Sequence, residues 1–294
     1  MRVLHPYLTT NATTRVNLAY DASFRMMQKT FDLGFKFKHI DPNYSSFGMH
    51  YVIDDVRNYT VNGGLRLFDQ KFTFQGSYGI QLNNVKNVRK NTSTRNIMHL
   101  NASILPIKNG GLQLMYSNYS IDQTPGFAMV NDSFRLIQQT AITSITPFYR
   151  ISGKKNRQQF TINYNRSAIT DVSPVEIENR DGNITTISGS WSYDHTITKW
   201  GYGLTLMKAS ESFNLRNTGR LGGNITVRKR WEKSKLFFSI NSGYYYLTWN
   251  EDGDGHSANI SFQSGLAFNR SSSFQFTTSW LDRATINAVK YREL

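Results

Sequence analysis

Residues 199–210 read Lys-Trp-Gly-Tyr-Gly-Leu-Thr-Leu-Met-Lys-Ala-Ser. Every second position over most of this stretch carries a large apolar side chain, and the apolar row comprises Trp200, Tyr202, Leu204 and Leu206. A β-strand points successive side chains to opposite faces, so the pattern predicts a strand between an apolar and a polar environment. Soluble sandwiches use the same pattern. The number of strands, their length and the spacing of the loops must therefore decide between the two architectures.

The same alternation returns along nearly the whole chain. It predicts roughly fourteen strands, which lie near 15–23, 31–40, 57–68, 72–82, 96–105, 111–120, 133–149, 158–170, 183–196, 199–210, 217–230, 235–249, 257–269 and 273–282. Many span about ten residues or more, which is long for a globular sheet and suitable for a tilted membrane strand. No run of about 18 apolar residues occurs, which excludes a transmembrane helix.

The connections between these strands alternate in length from residue 31 to residue 282. Short turns are expected around residues 69–71, 108–110, 153–156, 196–198, 232–234 and 271–272, and longer loops near 41–56, 83–95, 121–132, 171–182, 211–216 and 250–256. Outer-membrane barrels show this asymmetry, with short periplasmic turns and longer outer loops, whereas a Greek-key sandwich is not expected to sustain it. The prediction is one all-β domain over residues 1–294, a transmembrane antiparallel up-and-down β-barrel of about 14–16 strands.

The ends of the chain and one proline bear on the strand count. Residues 2–10 and 286–294 would each add a strand, because single-chain barrels have an even strand number with both ends on the periplasmic side. It stays open whether residues 1–294 form part of a longer native polypeptide. Pro147 lies inside the predicted strand 133–149 and suggests that this strand ends earlier or lies partly beyond the bilayer, since proline interrupts a ladder.

The alternating rows assign a face to each strand residue. Polar rows must face water or other polar groups, because one Lys or Arg against lipid at mid-bilayer costs about 2–4 kcal/mol. Aromatics form 14% of the chain, and their position at strand ends suits interfacial girdles. The lipid-facing candidates are Phe35, Phe37, Phe72, Phe74, Trp200, Tyr202, Leu204, Leu206, Phe238 and Phe276. The lumen-facing candidates are Lys36, Lys38, Arg66, Gln75, Asn163, Arg228, Asn241 and Gln263.

Two alternatives to this assignment stay open. A soluble barrel would place the apolar rows inside and the polar rows outside. Within a membrane barrel, the lumen is either open, in which case its excess of Lys and Arg favours anionic solutes, or filled by the protein's own side chains and loops.

The formal net charge of +14 invites a nucleic-acid partner. The basic residues are scattered, however, and the densest points are Lys154-Lys155 and Arg228-Lys229-Arg230, with no recognition helix, zinc finger or RNP motif beside them. A basic barrel that meets anionic lipid or passes anions explains the charge equally well. We therefore expect no nucleic-acid partner.

The chemistry of known catalytic and metal sites has no counterpart in the sequence. Cysteine is absent, none of the six histidines forms a metal-ligand spacing with another, and neither HExxH nor GxSxG occurs. His256 and Ser257 are the one adjacent pair with hydrolase chemistry, and they would point to opposite faces of a strand. We predict no catalytic, cofactor or metal site, and a lipid-modifying enzyme is the least favoured interpretation.

One segment carries a family resemblance. Residues 35–48 read Phe-Lys-Phe-Lys-His-Ile-Asp-Pro-Asn-Tyr-Ser-Ser-Phe-Gly and are followed by Asp54-Asp55 and by Tyr59-Thr60-Val61. A strand that meets an Asp-Pro-x-Tyr loop and then another long strand resembles outer-membrane β-barrel proteins of Bacteroidota, and residues 67–81 resemble the next hairpin. The likeness covers about a quarter of the chain. It implies a bacterial outer-membrane location and a barrel fold, and it transfers no functional residue.

Two functions fit these expectations. The first is a non-enzymatic, porin-like or transport barrel with a polar, basic lumen. The second is a structural or scaffold subunit of an outer-membrane secretion or assembly complex, with an occluded lumen. Outer-membrane lipid and lipopolysaccharide are the expected surroundings, and other envelope proteins are partners in the second case.

Overall fold

The computed structural model describes residues 17–45, 54–125, 136–173, 181–213, 216–231, 235–249, 252–267 and 273–285. These residues form one antiparallel sheet of 14 strands in sequence order. The strands are β1 Ala19–Met27, β2 Phe31–Ile40, β3 Val56–Leu67, β4 Phe72–Asn83, β5 Asn91–Ile107, β6 Gly110–Pro125, β7 Leu136–Ser152, β8 Asn156–Asp171, β9 Gly182–His195, β10 Trp200–Phe213, β11 Arg216–Trp231, β12 Leu236–Trp249, β13 Asp252–Ala267 and β14 Ser273–Thr285.

The up-and-down strand order confirms the predicted all-β class, and each predicted strand has its counterpart. Every strand pairs with its sequence neighbours, so the described strands have no Greek-key crossover. Within the described ranges β1 pairs only with β2 and β14 only with β13, which makes these two strands the edges of the sheet. None of the described residues belongs to a helix that is long and apolar enough to cross a membrane.

The connections define two edges across the strand ends. The turn edge is the one at which β1, β3, β5, β7, β9, β11 and β13 end, and its fully described connections are 28–30, 68–71, 108–109, 153–155 and 196–199. The loop edge is the one at which β2, β4, β6, β8, β10 and β12 end, and its described residues outside the strands include 41–45, 54–55, 84–90 and 172–173. The predicted long loops at 211–216 and 250–256 are wrong, because β10 and β11, and β12 and β13, stay paired to within two residues of each other. Polar residues at these positions, such as Glu211 opposite Thr218, continue the ladder instead of leaving it.

Two strand boundaries also differ from the prediction. The first strand lies four residues later than 15–23, because Ala19 pairs with Ile40 and the ladder runs to Met27. The strand with Pro147 does not end early, since β7 continues to Ser152 and Pro147 pairs with Leu112 of β6. The strands predicted at 2–10 and 286–294 lie outside the described residues.

Candidate functional site: the two faces of the sheet

The register assigns every strand residue to one of two faces, because directly opposite side chains in an antiparallel pair point the same way. We call the face that carries Trp200 the apolar face and the face that carries Arg228 the polar face. Trp200 stands opposite Lys229, which stands opposite Phe238. Phe238 stands opposite Ser264, which stands opposite Phe276, so all five residues lie in one row on the apolar face.

All of the lipid-facing candidates lie on the apolar face. Phe35 and Phe37 of β2 stand opposite Val61 and Tyr59 of β3. The remaining candidates share this face through consecutive pairs, and they are Phe72, Phe74, Trp200, Tyr202, Leu204, Leu206, Phe238 and Phe276. The face is open to its surroundings, since Leu206 is 60% exposed and Ile162 is 57% exposed.

All of the lumen-facing candidates lie on the polar face. Arg228 stands opposite Ser239, which stands opposite Gln263. Consecutive pairs place the other candidates on the same face, and they are Lys36, Lys38, Arg66, Gln75, Asn163 and Asn241. What each face contacts stays a prediction.

The described part of the chain forms no hydrophobic core. Among the residues that the structure describes, Ile40 and Val56 are the buried hydrophobic residues. A sheet of this size with one uncovered apolar face exceeds the apolar patches of soluble monomers, which reach a few hundred Å². The apolar face therefore requires a non-aqueous environment or a covering partner.

Basic side chains outnumber acidic ones on the polar face. The described basic residues there are Arg25, Lys36, Lys38, Arg66, Arg95, Arg150, Arg157, Arg220, Arg228, Arg230 and Arg283. The acidic ones are Asp21, Asp32, Asp171, Asp194 and Glu211. Because like charges dominate, this face attracts anions.

Two of these basic residues are held by ion pairs. Arg66 Nη2 lies 3.7 Å from Asp32 Oδ1. Arg228 Nη2 lies 2.7 Å from Asp194 Oδ1 and 2.9 Å from Asp194 Oδ2, and Arg228 Nε lies 3.3 Å from Oδ1. The pair links β9 to β11 across Gly201 of β10, where a side chain would collide with both groups. Arg228 is therefore neutralised locally, unlike Lys36 and Lys38, for which the sequence predicted the same role.

Asn163 has a structural role that the sequence did not indicate. β7 does not pair with β8 at Thr146 and Pro147, although the two strands pair on either side of this gap, at Ile145 and at Phe148. Asn163 Nδ2 donates across this gap to Thr146 Oγ1 at 2.7 Å and to Ser144 Oγ at 3.3 Å. The side chain replaces backbone bonds that proline, with no N–H, cannot make.

The polar face also carries an apolar row that the sequence analysis missed. Ile97 stands opposite Tyr119, and the same row reaches Ile169 and Phe213 through Thr140 and Gly182. This row lies toward the loop edge. Ile97 is followed directly by Met98, so the two-residue period is lost there and the sequence alone assigns neither residue to a face.

The aromatic side chains at the turn edge form a continuous row on the apolar face. Neighbouring ring centroids lie 5.5–6.3 Å apart along Trp191, Tyr193, Tyr202, Trp200, Phe238 and Trp231. Such distances are typical of packed aromatic pairs. The row lies at the strand ends, where the sequence predicted an interfacial girdle, and its contact with a membrane interface stays a prediction.

A charged cluster joins the connections at the loop edge. Asp41 Oδ2 accepts the Leu18 N–H at 2.9 Å, and Asp41 Oδ1 lies 3.0 Å from Lys86 Nζ and 3.1 Å from His39 Nε2. The Leu18 N–H and then the Lys86 ammonium lower the pKa of Asp41 to about 2, although burial of the carboxylate opposes the shift. Asp41 thus binds the start of β1 to the loops after β2 and β4.

Arg89 joins the Asp54-Asp55 pair that the sequence singled out. Arg89 Nη2 lies 2.7 Å from Asp54 Oδ1, and Arg89 Nε lies 3.0 Å from Asp55 Oδ2. Asp55 is fully buried and accepts the Val85 N–H at 2.8 Å. These contacts organise the Asp-Pro-x-Tyr region as a structural unit.

The residues with hydrolase or metal-binding chemistry do not converge. His256 lies on the apolar face, where Nε2 is 3.6 Å from Asp282 Oδ2, and Ser257 lies on the polar face opposite Tyr245. In the described ranges no group of three or more His, Cys, Asp or Glu could hold a metal ion.

The chain matches no known family model. No curated protein sequence matches it either. Among solved structures, it is similar to the FrpB iron transporter from Neisseria meningitidis in its F5-1 variant apoprotein form, with a TM-score of 0.50, 10% identity, 91% of this chain covered and 59% of that chain. The F3-3 variant of the same transporter gives a TM-score of 0.49, 10% identity and 91% and 60% coverage. The chain thus spans about 60% of the length of these transporters, and the likeness concerns the fold.

Proposed function

We propose that the chain is an integral outer-membrane β-barrel that carries polar solutes along its polar face, with anions preferred and without enzymatic activity. The observation that carries this proposal is the two-faced sheet, with its uncovered apolar face and its basic polar face. The fold of the FrpB transporter supports the architecture. Outer-membrane lipid and lipopolysaccharide would cover the apolar face.

Insertion sets a requirement on the sheet edges. Unpaired backbone groups are not tolerated against lipid, because each costs several kcal/mol there. The β1 and β14 edges must therefore pair in the membrane, with one another or with further strands. The resemblance of residues 35–48 to Bacteroidota outer-membrane proteins supports the same compartment.

Reconstitution in a planar bilayer tests the transport function. Under a salt gradient we expect a steady current whose reversal potential indicates anion preference. Replacing Lys36 and Lys38 with Glu should shift this potential toward cations, because both changes reverse charges of β2 on the polar face. The matched control reverses two exposed charges of the turn 153–155, Lys154→Glu and Lys155→Glu, and should shift the potential far less.

A second function is favoured by the apolar row of the polar face. Ile97, Tyr119, Ile169 and Phe213 offer a surface for packing inside a barrel, which suits an occluded scaffold subunit of a secretion or assembly complex. Folded, inserted protein that conducts no ions and co-purifies with envelope proteins would support this function and contradict the transport proposal.

A further inference from the structure

A basic cavity lies at the turn edge, beside the aromatic row. It has a volume of about 670 Å³ and is lined by the ends of β8–β12 at the turn edge and by the connection between β9 and β10. Its basic lining residues are Arg157, Lys199, Arg228, Lys229 and Arg230, against the single carboxylate of Asp194. Asp194 is paired with Arg228, and Arg157, Arg228 and Arg230 belong to the polar face, so Lys229 is the cation that this cavity offers to an anion on the apolar face.

Lys229 connects this cavity to the apolar face. Its Nζ lies 5.0 Å from the centre of the Trp200 ring and 5.7 Å from that of Trp231, and it donates to the Thr198 carbonyl oxygen. An ammonium has three N–H donors, so two stay available to a ligand. The rings hold the cation at the end of the apolar row, where it can meet an oxyanion.

Two shallow hollows continue from this point along the apolar face. Gly189 and Gly223 flank Leu206 in one row, and hollows of about 480 and 870 Å³ lie around them, both lined by Leu204, Leu206 and Gly189. A Cβ added at Gly189 would meet no atom within 4 Å. The lining is almost entirely apolar, so the hollows suit hydrocarbon.

The spacing between the cation and the hollows matches one membrane leaflet. Six residues separate the rows of Trp200 and Leu206, which is about 20 Å along a strand. At a strand tilt of about 40° this corresponds to a depth of roughly 15 Å, half of a 30 Å hydrocarbon core. A ligand with an anionic head at Lys229 and chains at Gly189 therefore has the length of a membrane lipid.

We infer that this surface binds one anionic diacyl phospholipid, with its phosphate at Lys229 and its chains in the hollows beside Leu206. The inference rests on the proposed membrane orientation of the apolar face. A free phosphate ion would need the cations alone, whereas the apolar hollows beside them favour a lipid. Anionic phospholipid thus becomes a specific ligand of this sheet, beyond general solvation.

Lipid retention measured by native mass spectrometry tests the inference. The protein in detergent is titrated with phosphatidylglycerol and, separately, with phosphatidylethanolamine of the same chains. We expect one phosphatidylglycerol retained at least tenfold more tightly than phosphatidylethanolamine. Gly189→Leu, whose Cβ meets no atom within 4 Å and whose side chain would occupy the hollow, and Lys229→Gln should each reduce this preference to below threefold.

Gly63→Leu is the matched control. Gly63 also lies on the apolar face, and an added Cβ there has ordinary contacts, at 3.5 Å from the Asp32 carbonyl oxygen. This variant should retain phosphatidylglycerol like the parent protein. Equal retention of both lipids by the parent, or equal losses in Gly63→Leu and Gly189→Leu, would overturn the inference.

Two further measurements separate the sources of failure. Inorganic phosphate at millimolar concentration should not displace the lipid. Displacement would show that the site binds an anion through its cations alone, without a contribution from the hollows. Quenching of Trp280 by brominated lipid reports the orientation of the apolar face independently. If Trp280 is quenched but the protein retains both lipids equally, only the lipid site is contradicted. If Trp280 is not quenched, the proposed function is contradicted as well.

Discussion

At the scale of single residues, the side chains that organise the loop edge are acidic groups in a basic protein. Asp41 and Asp55 are buried, and each accepts a backbone N–H from a different connection, Leu18 and Val85. Charge-assisted bonds of this kind are stronger than neutral ones. The excess of basic residues therefore supplies partners, Lys86 and Arg89, that make buried carboxylates stable.

The Asp41 carboxylate predicts a pH-dependent loop edge. Its pKa is lowered from 3.8 to about 2, so the folded state prefers the charged form. The stabilisation is complete above pH 4 and is lost as the pH falls through 2. The protection factor of the Leu18 amide, which is its exchange rate corrected for the intrinsic rate at each pH, should fall across this range in the parent protein.

Asp41→Asn should remove this dependence and lower the free energy of unfolding by about 1–3 kcal/mol, because buried donors lose a charged acceptor. Urea unfolding at pH 7 measures the loss. The control is Asp69→Asn in the exposed turn 68–71, which should change neither quantity. If the protection factor of the Leu18 amide in the parent protein is constant between pH 4 and pH 2, the Asp41 carboxylate does not control the loop edge.

Asn163 predicts a stability effect on the polar face. Asn163→Ala should lower the free energy of unfolding by about 1–2 kcal/mol, because Thr146 and Ser144 lose their bonds across the interrupted ladder. Asn165→Ala, on the next position of the same face, is the control and should cost less than half as much. If the two variants are equally stable in urea, Asn163 has no bridging role.

At the scale of elements, glycine sets how closely β11 and β12 approach. A Cβ added at Gly222 would contact the Tyr244 carbonyl oxygen and lie 2.6 Å from Tyr245 Cα. Backbone atoms cannot move aside as a flexible side chain can. The atoms that crowd Gly222 are set by the register of β11 and β12, which the sequence does not give.

Gly222→Ala should therefore destabilise the sheet by about 1–3 kcal/mol, as an overpacked position does. Gly203→Ala is the matched control on the same face, where the nearest contact is Thr226 Cβ at 3.5 Å. That variant should be neutral or slightly stabilising, because alanine restricts the unfolded chain. The midpoints of urea unfolding compare the two, and equal midpoints would refute the close approach of β11 and β12.

The strands show which features a sequence period can predict. A two-residue period assigns faces wherever it is unbroken, which is why Phe35 and Lys36 are correctly separated. It does not report where a ladder ends, so the polar residues around Glu211 resembled a loop. It also does not identify partners across strands, so Asn163 was placed on its face without its bond to Thr146.

At the scale of the whole molecule, one sheet without a core must obtain its stability from its surroundings. Exposed apolar side chains such as Leu206, Phe274 and Trp280 would each favour transfer out of water by about 1.5–3 kcal/mol when fully buried. In the function that we propose, a bilayer supplies this burial on one face only, and the polar face meets water or polar partners inside the barrel.

The two faces predict opposite responses of two adjacent positions to lipid. Trp280 lies on the apolar face in the row of Leu204, and Ser279 lies at the same depth on the polar face. In a variant whose other tryptophans are Phe, Trp280 should be quenched strongly by brominated phospholipid and weakly by acrylamide. In a second variant, with Trp280→Phe and Ser279→Trp added, the tryptophan should be quenched weakly by brominated phospholipid and strongly by acrylamide. Depth and neighbouring sequence are matched, so the face alone differs. A soluble barrel predicts no lipid quenching at either position, and equal lipid quenching at both would contradict the assignment of the two faces.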